Sequence, residues 1–479
     1  MKKNIVLTGS LWTSTSTITT AIVQILRLSI LAHFLEKSDF GVVAILTLVL
    51  GFTGMFSELG FSTIIMNRKN LTNKEFSSLY WLQFILYGFI YILVSSFSFL
   101  IADFFNEPSI EYLLPITMLD LILVGIGRLY DTVIQKELKF NVLAKRNIIA
   151  SLISLAVAIG LAYSGAGVYS LIISTITQTF ILNTWNLLQG IKSMPLKFYC
   201  SFKLIKPLFN MGINMTGAHI LDYMSTKIDV FIIGKMLGSE TLGIYNLAKE
   251  LVLKGTMLIN SIVNRVSIPL FAKKQDDKDA LRRNYCKLLS FISLINFPIS
   301  TIIGVLGCII VPILYGEAYS EVIPIVYILS VWGIVNCIGN PVGNIVIATG
   351  RTDLSFKYTL IRLLCYIPCI YAISAYDIIV LAWGTTALAL ISTFLSWYMQ
   401  IYKTIELKLG QFLASFARPL LYTIIAGSIG YIILYSIKNN ELGYTTLLLT
   451  ATIWCIIFLA LFFIIEKKTT KSILQMIKK

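Results

Sequence analysis

Residues 79–102 read LYWLQFILYGFIYILVSSFSFLIA, and these 24 residues contain no charged side chain. A helix of this length extends about 36 Å, which is enough to cross the hydrocarbon core of a bilayer, about 30 Å thick. The stretch therefore predicts a transmembrane helix. Similar apolar stretches recur along the whole chain, so this one segment is typical of the fold.

Apolar blocks separated by polar connections predict 14 membrane-spanning helices. Their approximate ranges are 10–35, 40–66, 79–102, 112–134, 147–163, 167–189, 207–236, 242–271, 288–314, 322–348, 357–374, 378–401, 416–436 and 443–465. Of the 479 residues, 57% are hydrophobic and only 13% are charged, whereas about 25% are charged in soluble proteins. The composition excludes a water-soluble globular domain and predicts an all-α integral membrane protein.

Lysine and arginine residues are concentrated in alternate connections between the predicted spans. The inner connections include the basic segments 192–206, 273–287 and 467–479, whereas the outer connections contain only Lys37 and Lys438. Because basic residues favour the cytoplasmic side, this pattern predicts that both termini are cytoplasmic. The net charge of +15 is spread over many short loops. It therefore indicates contact with lipid headgroups and no nucleic-acid partner.

Short connections and missing motifs exclude several other functions. No G-x-x-x-x-G-K-[ST] phosphate loop occurs, so the chain has no ATP-driven motor of its own, and we expect an ion gradient to supply the energy. No outer connection is long enough to form a catalytic domain, so we do not expect an enzyme. The seven cysteines show neither a disulfide framework nor metal-ligand spacing, and we expect no metal or other cofactor.

An internal repeat predicts how the spans are arranged. Residues 35–42 (LEKSDFGV) resemble residues 237–244 (LGSETLGI) at an offset of 202 positions. Two halves of six spans each would insert with the same orientation and enclose a transport cavity. The predicted domains are an N-terminal six-helix lobe at 1–189, a cytoplasmic linker at 190–206, a C-terminal six-helix lobe at 207–401, and a helical hairpin with a cytoplasmic tail at 402–479.

Positive charges within the predicted spans are candidates for the substrate cavity. A charge at the bilayer centre costs about 2.5–3.5 kcal/mol on insertion scales, so such a residue should face a cavity or a partner. The candidate cavity cations are Arg27, Arg128, Lys227, Lys249, Lys254 and Arg265. Arg265 lies near a span end and could instead reach the headgroups. Lys254, four residues after Glu250, could instead form a structural ion pair.

Titratable groups within the spans are candidates for coupling to an ion gradient. They are Asp120, His219, Asp222, Asp229 and Glu250. Asp222 and Asp229 are seven residues apart and share a helix face. His219 precedes Asp222 by three residues, and the pair could carry a proton. The alternative is a hydrogen-bonded histidine in the protein interior.

Several stretches resemble the Wzx-type polysaccharide exporters of the multidrug/oligosaccharidyl-lipid/polysaccharide flippase superfamily. Residues 31–60 read LAHFLEKSDFGVVAILTLVLGFTGMFSELG and continue as FSTIIMNRKNLTNKEFSSLYWLQ. Further matches are IQKELKF at 134–140, GVYSLI at 167–172 and the run from 269 to 316. The resemblance implies a MATE-like fold and a cation-lined cavity. One departure is His33, where the family often has arginine; its repeat equivalent is Lys235.

The resemblance also implies an activity. Such a protein would be a flippase of the bacterial inner membrane, moving undecaprenyl-pyrophosphate-linked oligosaccharides by alternating access for O-antigen, capsule or exopolysaccharide assembly. A proton or sodium ion would be exchanged, and the polysaccharide polymerase and chain-length proteins would be partners. The main alternative is a multidrug-type antiporter of small molecules with the same fold.

Overall fold

The computed structural model describes residues 2–58, 60–68, 71–272, 274–275, 277–439 and 444–465. Throughout these residues the regular structure is helical, without β-strands. Lipid offers no hydrogen bonds to the backbone, and a helix satisfies its peptide groups internally. Among the described residues, fourteen helices have 19 residues or more.

The helices are numbered in chain order. The first half contains α1 (Lys2–Ala32), α2 (Lys37–Glu58), α3 (Phe61–Asn67), α4 (Asn73–Ser96), α5 (Ser98–Phe105), α6 (Ser109–Lys136), α7 (Phe140–Tyr163), α8 (Tyr169–Gly190) and α9 (Phe202–Met236). The second half contains α10 (Gly238–Ala272), α11 (Lys278–Val305), α12 (Gly307–Tyr315), α13 (Val322–Ala348), α14 (Thr352–Ile373), α15 (Ile378–Ser396), α16 (Lys403–Ile405), α17 (Leu409–Asn439) and α18 (Tyr444–Ile465). A π-helical turn, Trp397–Tyr402, joins α15 to α16.

Among the described residues, ten helical segments are long and apolar enough to cross a bilayer. They include all of α4, α6, α7, α11, α13 and α14. The chain is therefore a multi-pass α-helical membrane protein, as the sequence predicted.

The chain divides into two compact units, Met1–Asn246 (unit 1) and Leu247–Lys479 (unit 2). In unit 1, helix α6 packs against α2, α3, α4, α5 and α8, while α7 packs against α1 and α8. In unit 2, α11 packs against α13 and α17, and α13 packs against α15. The lobe and linker boundaries drawn from the sequence stay a prediction.

The repeat that the sequence indicates has a counterpart in the packing of α2 and α10. A Cβ atom on Gly41 would lie 1.7 Å from the carbonyl oxygen of Ser239, and one on Gly243 would lie 1.9 Å from the carbonyl oxygen of Lys37. Both pairs of positions, 37 with 239 and 41 with 243, are separated by the repeat offset of 202. Equivalent glycines thus contact equivalent carbonyl groups reciprocally, and only glycine permits backbones to approach so closely.

Unit 2 has a largely apolar interior. One cluster contains the buried side chains of Tyr285, Phe297, Ile401 and Phe412. The polar groups within this unit include many neutral hydroxyl and amide side chains, such as the hydrogen bond from Asn344 to Ser267 at 2.8 Å.

Candidate functional site

The predicted site residues lie on four helices. Arg27 lies on α1, Asp120 and Arg128 on α6, His219, Asp222, Lys227 and Asp229 on α9, and Lys249, Glu250, Lys254 and Arg265 on α10. The side chains of His219 and Arg265 lie outside the described residues, so the predicted His219–Asp222 pair stays a prediction.

Arg27 and Asp120 both reach the same face of α8. The Arg27 guanidinium donates to the hydroxyls of Ser154 at 3.3 Å and Thr175 at 3.5 Å. The Asp120 carboxyl is hydrogen bonded to Thr179, which is one helical turn from Thr175.

Neither charged group is fully satisfied in this arrangement. Arg27 Nε and Asp120 Oδ1 are buried, and neither atom has a hydrogen-bond partner. Although both side chains are described, they form no ion pair with each other. Burying unpaired charge is unfavourable. The role of Asp120 in coupling to an ion gradient stays a prediction.

A buried ion pair that the sequence analysis missed lies near the end of α6. Arg146 on α7 is only 7% exposed, and its guanidinium donates to Asp131 Oδ1 at 2.8 Å and also to Asn186 Oδ1. Gln135 donates to the other carboxylate oxygen of Asp131 at 2.7 Å. The sequence analysis placed Arg146 in a connection, because the predicted span begins at residue 147. The absence of glycine or proline from residues 140–146 was the signal that the helix begins earlier.

A pocket of about 210 Å³ lies beside this ion pair, between α3 and α6. Its lining residues are Ser62, Thr63 and Met66 on α3 and Arg128, Asp131, Thr132 and Gln135 on α6. The structure thus places Arg128, a predicted cavity cation, in a small polar pocket.

On α9, the two predicted acidic residues differ in environment. Asp229 is buried and accepts a hydrogen bond of 2.9 Å from the hydroxyl of Tyr245, a partner that the sequence did not indicate. Asp222 is exposed. The spacing of seven residues therefore does not give these two carboxylates a shared environment. Lys227 is half-buried.

On α10, the predicted charged residues belong to unit 2. Lys249 is 6% exposed, and its ammonium group lies 5.6 Å from the centre of the Trp332 ring, a cation–π contact. Glu250 and Lys254 form the ion pair that their spacing predicted, at 3.4 Å. The Glu250–Lys254 pair is compatible with either a structural or a transport role.

Comparison with known proteins gives a family match and full-length relatives. A family model described as "Polysaccharide biosynthesis protein" matches residues 30–324. The chain is 26% identical to the lipopolysaccharide biosynthesis protein WzxC of Escherichia coli K12, over 86% of this chain and 84% of WzxC. It is also 26% identical to the teichuronic acid biosynthesis protein TuaB of Bacillus subtilis 168, over 89% of this chain and 88% of TuaB.

Solved structures show the same fold. The lipid II flippase MurJ in an inward closed conformation matches with a TM-score of 0.71 at 17% identity, covering 95% of this chain and 99% of MurJ. An inward-facing multidrug resistance transporter of the MATE family matches with a TM-score of 0.60 at 14% identity, covering 80% of this chain and 96% of the transporter. The MATE-like fold expected from the sequence is therefore confirmed.

Proposed function

Since this chain belongs to the polysaccharide biosynthesis protein family, we propose that it is a flippase for lipid-linked oligosaccharide repeat units. It moves these units across the bacterial inner membrane for the assembly of O-antigen, capsule or exopolysaccharide. The observation that carries the proposal is the nearly full-length similarity to relatives named for the biosynthesis of such polymers. The fold, shared with a lipid flippase, supports it.

The proposed topology has fourteen spans with both termini in the cytoplasm. The fourteen long helices among the described residues support this number. The concentration of lysine and arginine in alternate connections supports the orientation. The proposed architecture is two six-helix lobes followed by the C-terminal hairpin.

The proposed mechanism is alternating access. The saccharide and its pyrophosphate enter a polar path while the polyprenyl tail stays in lipid. The half-buried Arg27 and the buried Lys249 attract the anionic pyrophosphate, because charge-assisted hydrogen bonds are strong away from bulk water. Asp120 is the proposed coupling group for a proton or sodium ion. The polysaccharide polymerase and chain-length proteins are the proposed partners that receive the exported unit.

A multidrug-type antiporter is the second candidate, and the fold it shares with MATE transporters supports it. The family match favours the saccharide flippase, because the relatives are named for polysaccharide biosynthesis. We propose no catalytic activity for the chain.

Deletion of the gene tests the proposed function. We expect the deletion strain to lose its surface polysaccharide and to accumulate lipid-linked repeat units on the cytoplasmic leaflet, and the full-length chain should restore export. Surface polysaccharide at the parental level after deletion would contradict the proposal. Export of dyes by the purified protein in vesicles, without movement of lipid-linked saccharide, would favour the second candidate.

A further inference from the structure

The connection between α8 and α9, residues 191–201, is not helical, but its backbone is held against α4. The backbone N–H of Lys197 donates to the hydroxyl of Ser77 at 2.9 Å. The indole N–H of Trp81 donates to the carbonyl oxygen of Lys197, also at 2.9 Å. Both backbone groups of Lys197 are thus bound by side chains of α4, which fixes the connection along the first turns of that helix.

One aromatic side chain of this connection is almost completely exposed. Phe198 is 95% exposed, and its ring stacks on the ring of Trp81 at a centroid distance of 5.1 Å. Trp81 lies near the beginning of the apolar stretch 79–102, and tryptophan in membrane proteins is enriched at the level of the headgroups. Because an exposed phenylalanine ring is unfavourable in water, a lipid that covers Phe198 would be favoured.

The face of α4 that continues from Trp81 into the membrane is apolar and exposed. Ile85, Phe89 and Ile92 are all exposed. Together with Trp81 they are spaced three or four residues apart, so they lie on one face of the helix. An exposed apolar face on a membrane-spanning helix matches lipid tails, which are equally apolar. This face therefore suits the acyl chains of a lipid whose headgroup lies beside Phe198.

Lysine side chains lie at the headgroup end of the same face. Lys192 and Lys197 in the connection are exposed. Lys74 is exposed as well, and it precedes Trp81 by seven residues, so both lie on one face of α4. The ammonium group of Lys74 lies 5.5 Å from the centre of the Tyr199 ring. The connection and the start of α4 thus present positive charge beside exposed aromatic rings.

Two acidic side chains adjoin this surface, and each has a cation of its own. Glu75 on α4 pairs with Arg68. Glu137, which accepts a hydrogen bond of 3.2 Å from Ser193, pairs with Lys139 at 2.7 Å. These carboxylates therefore do not cancel the charge of the three lysines.

We propose that this lysine–aromatic surface, formed by Lys74, Trp81, Lys192, Lys197 and Phe198, binds an anionic phospholipid. In the proposed topology the lipid belongs to the cytoplasmic leaflet. Its phosphate contacts the lysine ammonium groups, because basic side chains near the membrane attract anionic headgroups. Its acyl chains lie along the exposed face of α4. A zwitterionic lipid has the same chains without net charge, so the lysines select for charge. The proposal does not depend on which substrate the chain transports.

Quenching of Trp81 fluorescence by brominated lipids tests the proposal with the full-length protein in nanodiscs. The contribution of Trp81 is the difference in fluorescence between the parent protein and Trp81→Phe. Phosphatidylglycerol and phosphatidylcholine, both brominated on their acyl chains, are compared. We expect phosphatidylglycerol to quench Trp81 at a mole fraction about fivefold lower or less, which corresponds to the attraction of at least one lysine. Equal quenching by the two lipids would overturn the proposal.

Lysine variants test whether the preference arises at this surface. The double variant Lys192→Gln/Lys197→Gln should bring the two lipids to nearly equal quenching, and high salt should act in the same direction because exposed charges are screened. An unchanged preference in the double variant would overturn the site. If the double variant fails to fold, Lys74→Gln should lower the preference and provides the same test.

The matched control is Lys403→Gln in unit 2. Lys403 is also exposed, and its ammonium group also lies over a tyrosine ring, 5.6 Å from the centre of Tyr398. We expect this variant to keep the parental preference at Trp81. A loss of preference in Lys403→Gln would indicate a general effect of net charge and would also overturn the site.

Competing lipids without bromine distinguish two sources of an anionic headgroup. Phosphatidylglycerol should restore Trp81 fluorescence at a mole fraction no higher than undecaprenyl phosphate requires. Restoration by undecaprenyl phosphate at a lower mole fraction would assign the surface to an isoprenoid lipid and overturn the phospholipid assignment.

Discussion

Helices α6 and α7 of unit 1 differ from helix α11 of unit 2 in the charge of their interior polar groups. In unit 1, helices α6 and α7 carry the Asp131–Arg146 pair and the buried Asp120, and α1 carries the half-buried Arg27. In unit 2, helix α11 instead carries the buried neutral side chains Ser293, Asn296 and Ser300.

The difference indicates a division of roles. Charged groups within a membrane are unfavourable and commonly mark transport or coupling sites. Neutral hydroxyl and amide groups have a smaller desolvation cost than charges, and the hydroxyls of Ser293 and Ser300 are buried without a hydrogen-bond partner. We therefore expect the α6 region of unit 1 to be the more sensitive to changes of charge and the α11–α13 region of unit 2 to depend mainly on packing.

The largest effect should come from breaking the buried ion pair in unit 1. Arg146→Gln leaves Asp131 buried without its cation, and we expect a loss of about 3–5 kcal/mol in the free energy of unfolding. Thermal unfolding of the purified protein measures the change. The double variant Asp131→Asn/Arg146→Gln should recover part of the loss, because neither charge remains. Lys139→Gln removes a cation from an exposed pair with Glu137 and should change stability little. Equal stability of Arg146→Gln and Lys139→Gln would contradict a stabilising role for the buried pair.

The second prediction compares how much stability is lost when a closely packed glycine is replaced by alanine in each unit. Gly41→Ala places a methyl group 1.7 Å from a backbone oxygen. In unit 2, Gly304→Ala meets only side-chain atoms, the Ser330 hydroxyl at 2.2 Å, which can rotate away, and the Ser330 Cβ atom at 2.9 Å. We expect Gly41→Ala to destabilise by about 1–3 kcal/mol and Gly304→Ala by less. Gly88→Ala, with no atom near the added methyl, is the control. A larger loss for Gly304→Ala in thermal unfolding would reverse the expected order.

Removing one cation from each unit, the half-buried Arg27 or the buried Lys249, tests the function directly. Arg27→Ala and Lys249→Ala should each lower surface polysaccharide about tenfold at equal expression, because each removes a contact to an anionic substrate. Immunoblots of polysaccharide and protein measure the ratio, with Lys139→Ala as the control. Polysaccharide at the parental level in both variants would show that these cations do not serve transport. A loss in one variant alone would assign the substrate contact to that unit.

The smallest effect should come from an exposed ion pair in unit 2. Hydrogen bonding and charge from Lys278, together with the charge of Arg282, lower the pKa of Glu406 below its ordinary value of 4.5. Because the pKa is lower in the folded state, the stabilisation is present above pH 4.5 and is lost as the pH falls through the folded pKa.

The variant Glu406→Gln, with Tm measured as the pH is lowered, tests this prediction. We expect this variant to show a slightly smaller fall in Tm on acidification than the parent protein. High salt should reduce the difference, since exposed charges are screened, but it should leave the effect of Arg146→Gln unchanged. If high salt reduced the effects of Glu406→Gln and Arg146→Gln on Tm equally, the expected difference between exposed and buried ion pairs would be wrong.

The sequence predicted the membrane class, the helical content and the repeat, because these depend on composition and local periodicity. The Glu250–Lys254 pair was also predictable, since both residues lie on one helix at a fixed spacing. The sequence predicted that Asp222 and Asp229 share a helix face, but it did not predict that Asp222 is exposed and Asp229 buried, because helix periodicity alone does not show which neighbours cover a helix face.

What the sequence determined by itself is that this chain crosses a membrane many times, carries a net positive charge and resembles polysaccharide exporters. Only the tertiary structure paired Asp131 with Arg146, placed Arg27 and Asp120 against the same face of α8, and formed the pocket beside α3. The physical reason is that these contacts join residues far apart in the chain. Their partners are set by how separate helices pack, and a linear pattern of hydrophobicity and charge contains no such distances.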